Sequence, residues 1–160
     1  MTVISDSTIL IGLAKIDRLG FLRDIFSEIY IPQEVFEEVV NKAPQKPGAS
    51  TVKACNWIQT KSIVDVMQVH LLMTSLEQGE AEVLTLAKEM SADLVLLDEE
   101  KARKSAVLAG FNVMGRHWFS SIHRNNILTN FCIFFACSTL ATCCSCRVLK
   151  IPGYHTSLES

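Results

Sequence analysis

The run Leu94-Val95-Leu96-Leu97 contains no polar residue. A strand with one wet face alternates polar and apolar side chains. An unbroken apolar run marks a strand buried on both faces, the habit of parallel sheets covered by helices. Its neighbours fit. Gly79–Met90 places Ala81, Val83, Leu84, Ala87 and Met90 at helical spacing, and Asp98–Ala109 reads as a second helix with Gly110 at its C′ position. The alternation runs back to the start: a strand at Thr2–Ser5, helices over Ser7–Ile16 and about Leu19–Ile25, and a strand at Glu28–Ile31. Pro32 then opens a helix with the apolar stripe Val35, Phe36, Val39 and Val40. Beyond the Pro- and Gly-rich loop Lys42–Gly48, the spacing predicts a helical turn or two over Ser50–Cys55 and a strand about Ile58–Val64. The last strand is Phe111–Met114. No unit repeats. The expectation is an α/β fold of three layers, a central, mainly parallel sheet flanked by helices. With 160 residues, 49% apolar and 20% charged, the chain has the size and composition of one globular domain.

After Gly115 the pattern dissolves. Cys55 stands alone in the first 131 residues, while Cys132, Cys137, Cys143, Cys144 and Cys146 crowd into fifteen, and no acid follows Gly115 until Glu159. The expected division is therefore a folded domain over residues 1–115 and a divergent tail over 116–160. Three readings of the tail compete. Ile127–Cys146 is 20 residues without charge, about a bilayer span, but its Asn, Ser and Thr content weakens it as a membrane helix. Cys143, Cys144 and Cys146 lack the paired C-x₂-C spacing of a structural zinc site. The favoured reading is a stretch never selected as part of this fold, as after a frameshift. The opening MTVISDSTILIGLAKI has no basic leader region and contains Asp6, so a secretory signal is not expected. The expected location is the cytoplasm, with reduced cysteines.

Acidic residues fall where the elements end. Asp6 follows the first strand and Asp98 stands where the LVLL run stops. Glu80 opens a helix, and Glu38 adjoins the Val35/Val39 stripe. In an open parallel sheet the carboxyl ends of the strands line one edge, where ligands bind, and there the four can converge. Each has a plainer reading. Asp6 and Asp98 suit helix caps, Glu80 complements a helix N-terminus, and Glu34, Glu37 and Glu38 suit a solvated helix face. Glu77, Glu82, Glu99 and Glu100 read as solvent-facing, with Glu99 as an auxiliary ligand at most.

Clustered carboxylates without an obligatory His or Cys are the donors that hard cations take, so Mg²⁺ or Mn²⁺ is the expected metal. Such ions bring water to a phosphodiester and stabilise charge on the attacking and leaving oxygens. His70, His117, His123 and His155 fall at no comparable positions. The net charge of −2 argues only weakly against a nucleic-acid substrate, because the site itself is acidic. Lys42, Lys46, Lys53 and Lys61, and then Lys101, Arg103 and Lys104, are either phosphate-steering groups or solvated surface.

In order, VISDSTILIGLAKI, IPQEVFEEVV and LEQGEAEVLTLAKEMSADLVLLDEEKAR resemble the blocks of PIN-domain proteins, in particular a bacterial and archaeal branch related to the VapC-type toxins. The resemblance covers about Thr2–Gly115. It implies a PIN-like fold and a Mg²⁺- or Mn²⁺-dependent ribonuclease. Asp6, Glu38, Glu80 and Asp98 would be the catalytic metal ligands and Thr8 a polar helper; Arg103, among the cations that follow the fourth acid, is the expected substrate contact. The resemblance further implies a homodimer and an antitoxin protein as partner; no membrane partner is expected, given the polar content of Ile127–Cys146. The chain departs from its relatives after Met114, where they continue with a Gly-Thr-x-Gly-like turn and a further helix. Here Arg116, His117 and Trp118 follow Gly115. Read one base along, any codons for His-Trp-Phe give Thr or Ile followed by Gly, which is why a frameshift is favoured. Two other functions stay open: an inactive PIN-like remnant or interaction module, and a response-regulator-like phospho-acceptor. The last expects paired acids after the first strand and a Lys after the last, and this chain offers Ser5-Asp6 and Gly115-Arg116.

Overall fold

The computed structural model describes residues 1–42 and 48–115. Its centre is a five-stranded, wholly parallel sheet of β1 (Val3–Ser5), β2 (Ile29–Pro32), β3 (Ile58–Lys61), β4 (Leu94–Leu96) and β5 (Val113–Met114), in the order β3-β2-β1-β4-β5. The chain steps outward from β1 to β3, returns across the sheet, and lays β4 on the other side of β1. Ile4 pairs with Tyr30 on one side and Val95 on the other. Val3, Ile4 and Leu94–Leu97 are buried, as an apolar run between two helical layers requires.

Helices α1 (Ser7–Lys15), α2 (Gly20–Phe26), α3 (Gln33–Phe36), α4 (Ala49–Ala54), α5 (Val66–Leu72), α6 (Gln78–Glu89) and α7 (Glu100–Leu108) flank the sheet. Leu10, Leu13 and Leu22 from α1 and α2, and Val83, Leu86 and Ala87 from α6, close the core. The expected fold class holds. The strand order also separates this fold from the phospho-acceptor alternative, whose doubly wound sheet runs 2-1-3-4-5.

Local differences have physical causes. Helix α3 runs directly into a π-helical segment, Glu37–Asn41, closed by the Lys42 N–H donating to the Glu37 carbonyl at 2.8 Å. A wide turn of this kind leaves no mark in apolar spacing. The strand expected over Ile58–Val64 ends at Lys61, and α5 follows in a stretch where the sequence predicts no element. Only Val69 and, in part, Leu72 of α5 turn inward, while Val66, Met67 and Leu71 are exposed, so the apolar pattern of the segment is diluted. Polar contacts add to this packing: Glu89 on α6 accepts the Val64 and Asp65 N–H groups at 3.0 and 2.7 Å. Among the described residues, no helix is long and apolar enough to cross a membrane. The expectations placed on 116–160 (tail, membrane helix, cysteine site) and on most of the loop Lys42–Gly48, with Lys46, lie outside the described residues.

Candidate functional site

Because the strand order reverses at β1, its carboxyl end and that of β4 open onto one crevice, the place where open α/β sheets bind ligands. Asp6 leaves β1 and Asp98 lies just beyond β4. The Asp6 N–H donates to the Leu96 carbonyl at 3.1 Å, so the two strand ends remain paired up to the acids.

Asp6 is 5% exposed and does two things. Its Oδ1 accepts the Ile9 N–H at 2.9 Å, which caps α1, and its Oδ2 accepts the Asp98 N–H at 3.2 Å. The cap and the edge position are therefore both real. Burial pushes the Asp6 carboxyl up to about 6; the Ile9 and Asp98 N–H groups pull it down, and the charges of Asp98 and Glu80 add to the rise. A carboxylate buried beside two others calls for a compensating cation.

Glu80 lies in the first turn of α6, where its Oε2 accepts the Glu77 N–H at 3.2 Å. Burial raises its carboxyl above the usual range, while Lys101 works in the opposite direction. Glu80 lies within electrostatic reach of Asp6. Asp98 is half-buried and immediately precedes Glu99, which stands at the N-cap position of α7 without a side-chain cap bond.

Glu38 stands on the π-helical segment, exposed, with its Oε2 3.7 Å from where a Cβ on Gly79 would lie. It thus borders the start of α6 next to Glu80. Among the described residues, no three His, Cys, Asp or Glu side chains form a ready-made metal cage. The structure brings Asp6, Asp98 and Glu80 to one crevice and leaves Glu38 at its margin.

Thr8 is exposed in the first turn of α1. Arg103 is half-buried, and its guanidinium rests where a Cβ on Gly115 would come within 2.5 Å, beside the Leu97 carbonyl at the same edge of the sheet. Lys104 pairs with Glu100 at 2.7 Å. Lys42 is engaged with Glu34, and the Lys61 ammonium lies 5.7 Å from the Tyr30 ring centre, so neither is a free surface cation.

Three residues escape the sequence reading. Glu34 and Glu82, expected on solvated faces, are half-buried where α3 meets α6. Glu82 Oε2 accepts the Glu34 N–H at 3.3 Å, and Gln78 Nε2 donates to Glu82 Oε1 at 3.2 Å and to Glu34 Oε2 at 3.4 Å. No local signal marked them, because the contact joins helices 44 to 48 positions apart in the chain.

The oxygen-only donor set suits a hard divalent cation. Mg²⁺ keeps several of its own waters and needs only one or two protein carboxylates, so the absence of a closed cage does not conflict with it. Among curated proteins, none matches this chain. A family model described as a PIN domain matches residues 2–119. With that match covering most of the chain and the parallel sheet beneath it, the chain belongs to the PIN-domain family.

Proposed function

We propose that residues 1–115 form a divalent-metal-dependent ribonuclease, in which water is the nucleophile on an RNA phosphodiester, and that 116–160 are a separate tail. PIN-domain proteins are commonly nucleases and typically use divalent ions, which supports the reading. The observation that carries it is the 3.2 Å bond from the Asp98 N–H to Asp6 Oδ2, which joins the two strand ends at the crevice.

Asp6, Asp98 and Glu80 are the carboxylates that would hold Mg²⁺ or Mn²⁺, with Glu38 completing the set from the margin. The bound ion supplies an acidified water and offsets charge on the phosphate. The chain's own groups do the rest. The Ile9 and Asp98 amides fix both oxygens of Asp6, so one lone pair on each stays oriented. Glu80 is set by its bond to the Glu77 amide. Arg103 and Lys101 border the same edge and would align the RNA backbone, with the Thr8 hydroxyl beside the β1 end. The same proposal takes the chain as the cytoplasmic toxin of a toxin–antitoxin pair, acting as a homodimer and restrained by an antitoxin protein.

The test is cleavage of a mixed RNA by the purified chain with Mg²⁺ or Mn²⁺, beside EDTA and Asp98→Asn. Cleavage that is lost in both controls supports the proposal. A folded protein that cleaves nothing points instead to an inactive PIN remnant, the reading favoured by the open arrangement of Glu38.

A further inference from the structure

Glu38 and Glu80 belong to different helical segments, and neither side chain is carried by a strand. Asp6 and Asp98 are held by strand pairing, whereas α3 and α6 are held by packing on β2 and against each other. The shared core sets their approach coarsely, and side chains that tie α3 to α6 refine it. The described residues provide one such tie, centred on Glu82.

Glu82 lies two residues beyond Glu80 on α6. Its Oε2 accepts the N–H of Glu34 in the first turn of α3, and its Oε1 accepts the Gln78 amide. That amide also reaches Glu34 Oε2, and Lys42 at the end of the π-helical segment closes on the other Glu34 oxygen. Glu38 is one turn along from Glu34. Gly79 sits between Gln78 and Glu80, and a Cβ there would lie 3.9 Å from Val35 Cγ2 as well as 3.7 Å from Glu38 Oε2. The start of α6 thus touches α3 at both Glu34 and Glu38.

We propose that Glu82 is a positioning residue that sets the separation of Glu38 and Glu80 by anchoring the start of α3 to α6. The inference rests on the metal-binding reading of those two acids. Glu82 itself contacts neither the ion nor the substrate. Buried helix starts do need an acceptor for their free N–H groups. An acceptor supplied from the helix that carries another ligand also makes one carboxylate's place depend on the other's. Polar partners that orient metal ligands typically change metal affinity by about 10- to 100-fold when removed.

The experiment measures Mn²⁺ binding by calorimetry, with thermal unfolding and amide exchange in metal-free buffer, on the full chain and on Glu82→Ala, Glu82→Gln, Gln78→Ala and Glu38→Gln. Glu82→Ala is expected to speed exchange of the Glu34 amide and to weaken Mn²⁺ binding by roughly tenfold or more. Glu82→Gln keeps an oxygen for that amide and should recover most of the affinity. Gln78→Ala should fall between the two.

Equal Mn²⁺ affinity in Glu82→Ala and wild type, with Glu38→Gln weakened, overturns the positioning role and leaves the metal reading standing. A loss of affinity matched by Glu82→Gln, or by a collapsed unfolding transition, overturns it as well, because the effect is then not that of the lost acceptor. A wild-type chain that binds no Mn²⁺ removes the metal reading and this inference with it.

Discussion

Asp6 is a carboxylate that the fold holds against its own preference. Its folded value of about 6 stands above the ordinary 3.8, so the folded chain binds this proton more tightly than the unfolded chain. Stability from Asp6 is therefore greatest below pH 4, declines between about 4 and 6, and stays at its lower level above, a loss on the order of 3 kcal/mol. In metal-free buffer, urea midpoints should fall from pH 4 to pH 7, and the fall should be smaller in Asp6→Asn. Asn at this position can still cap α1, but its amide group opposes the Asp98 N–H, so the variant should also lose its Mn²⁺ response. Gly48 is constrained by shape instead of charge. It holds φ +110°, and a Cβ there would lie 2.5 Å from the Ala14 Cβ. Gly48→Ala should cost roughly 2–4 kcal/mol in chemical denaturation. Gly12 is the control: it lies inside α1 with open space around it, and Gly12→Ala should stabilise by about 0.5–1 kcal/mol.

At the scale of elements, what the sequence makes legible follows from what apolar spacing records. Leu94–Leu97 announces a doubly buried strand because both faces demand apolar side chains, and Asp98 stands out because it ends that run, while Asp6 ends the shorter strand Thr2–Ser5. Helix α5 does not stand out. Besides the inward Val69 and Leu72 it is held by Glu89 and by Lys88, which donates to Gln68 Oε1 at 3.3 Å, and a polar tether has no period. Amide exchange should therefore show α5 opening in Glu89→Ala while α6 stays protected. Glu82 escapes notice for a related reason. A polar residue on a helix reads as solvated until the neighbouring helix is known, and that neighbour is settled by the strand order rather than by local pattern. Glu80 is legible only in part, since its cap geometry and its place near Asp6 lie on the same side chain.

For the whole molecule, a metal bound as proposed at Asp6, Asp98 and Glu80 should stabilise the fold. Mn²⁺ at about one hundred times its dissociation constant should add about 2.7 kcal/mol, a rise in Tm on the order of 10 °C that EDTA reverses. No rise in a protein that melts cooperatively would exclude tight binding at this crevice. The sheet order has one more consequence. The strand at its centre is made first, and its partner β4 begins at Leu94, so the pair that joins the Asp6 and Asp98 ends spans 92 positions of chain. Pairings so distant in sequence form late. A growing polypeptide carries Asp6 long before it carries Asp98, and every intermediate length lacks the crevice. For an enzyme proposed to cut RNA, and itself translated from RNA, this connectivity delays its chemistry until the message has been read almost to the end of the domain.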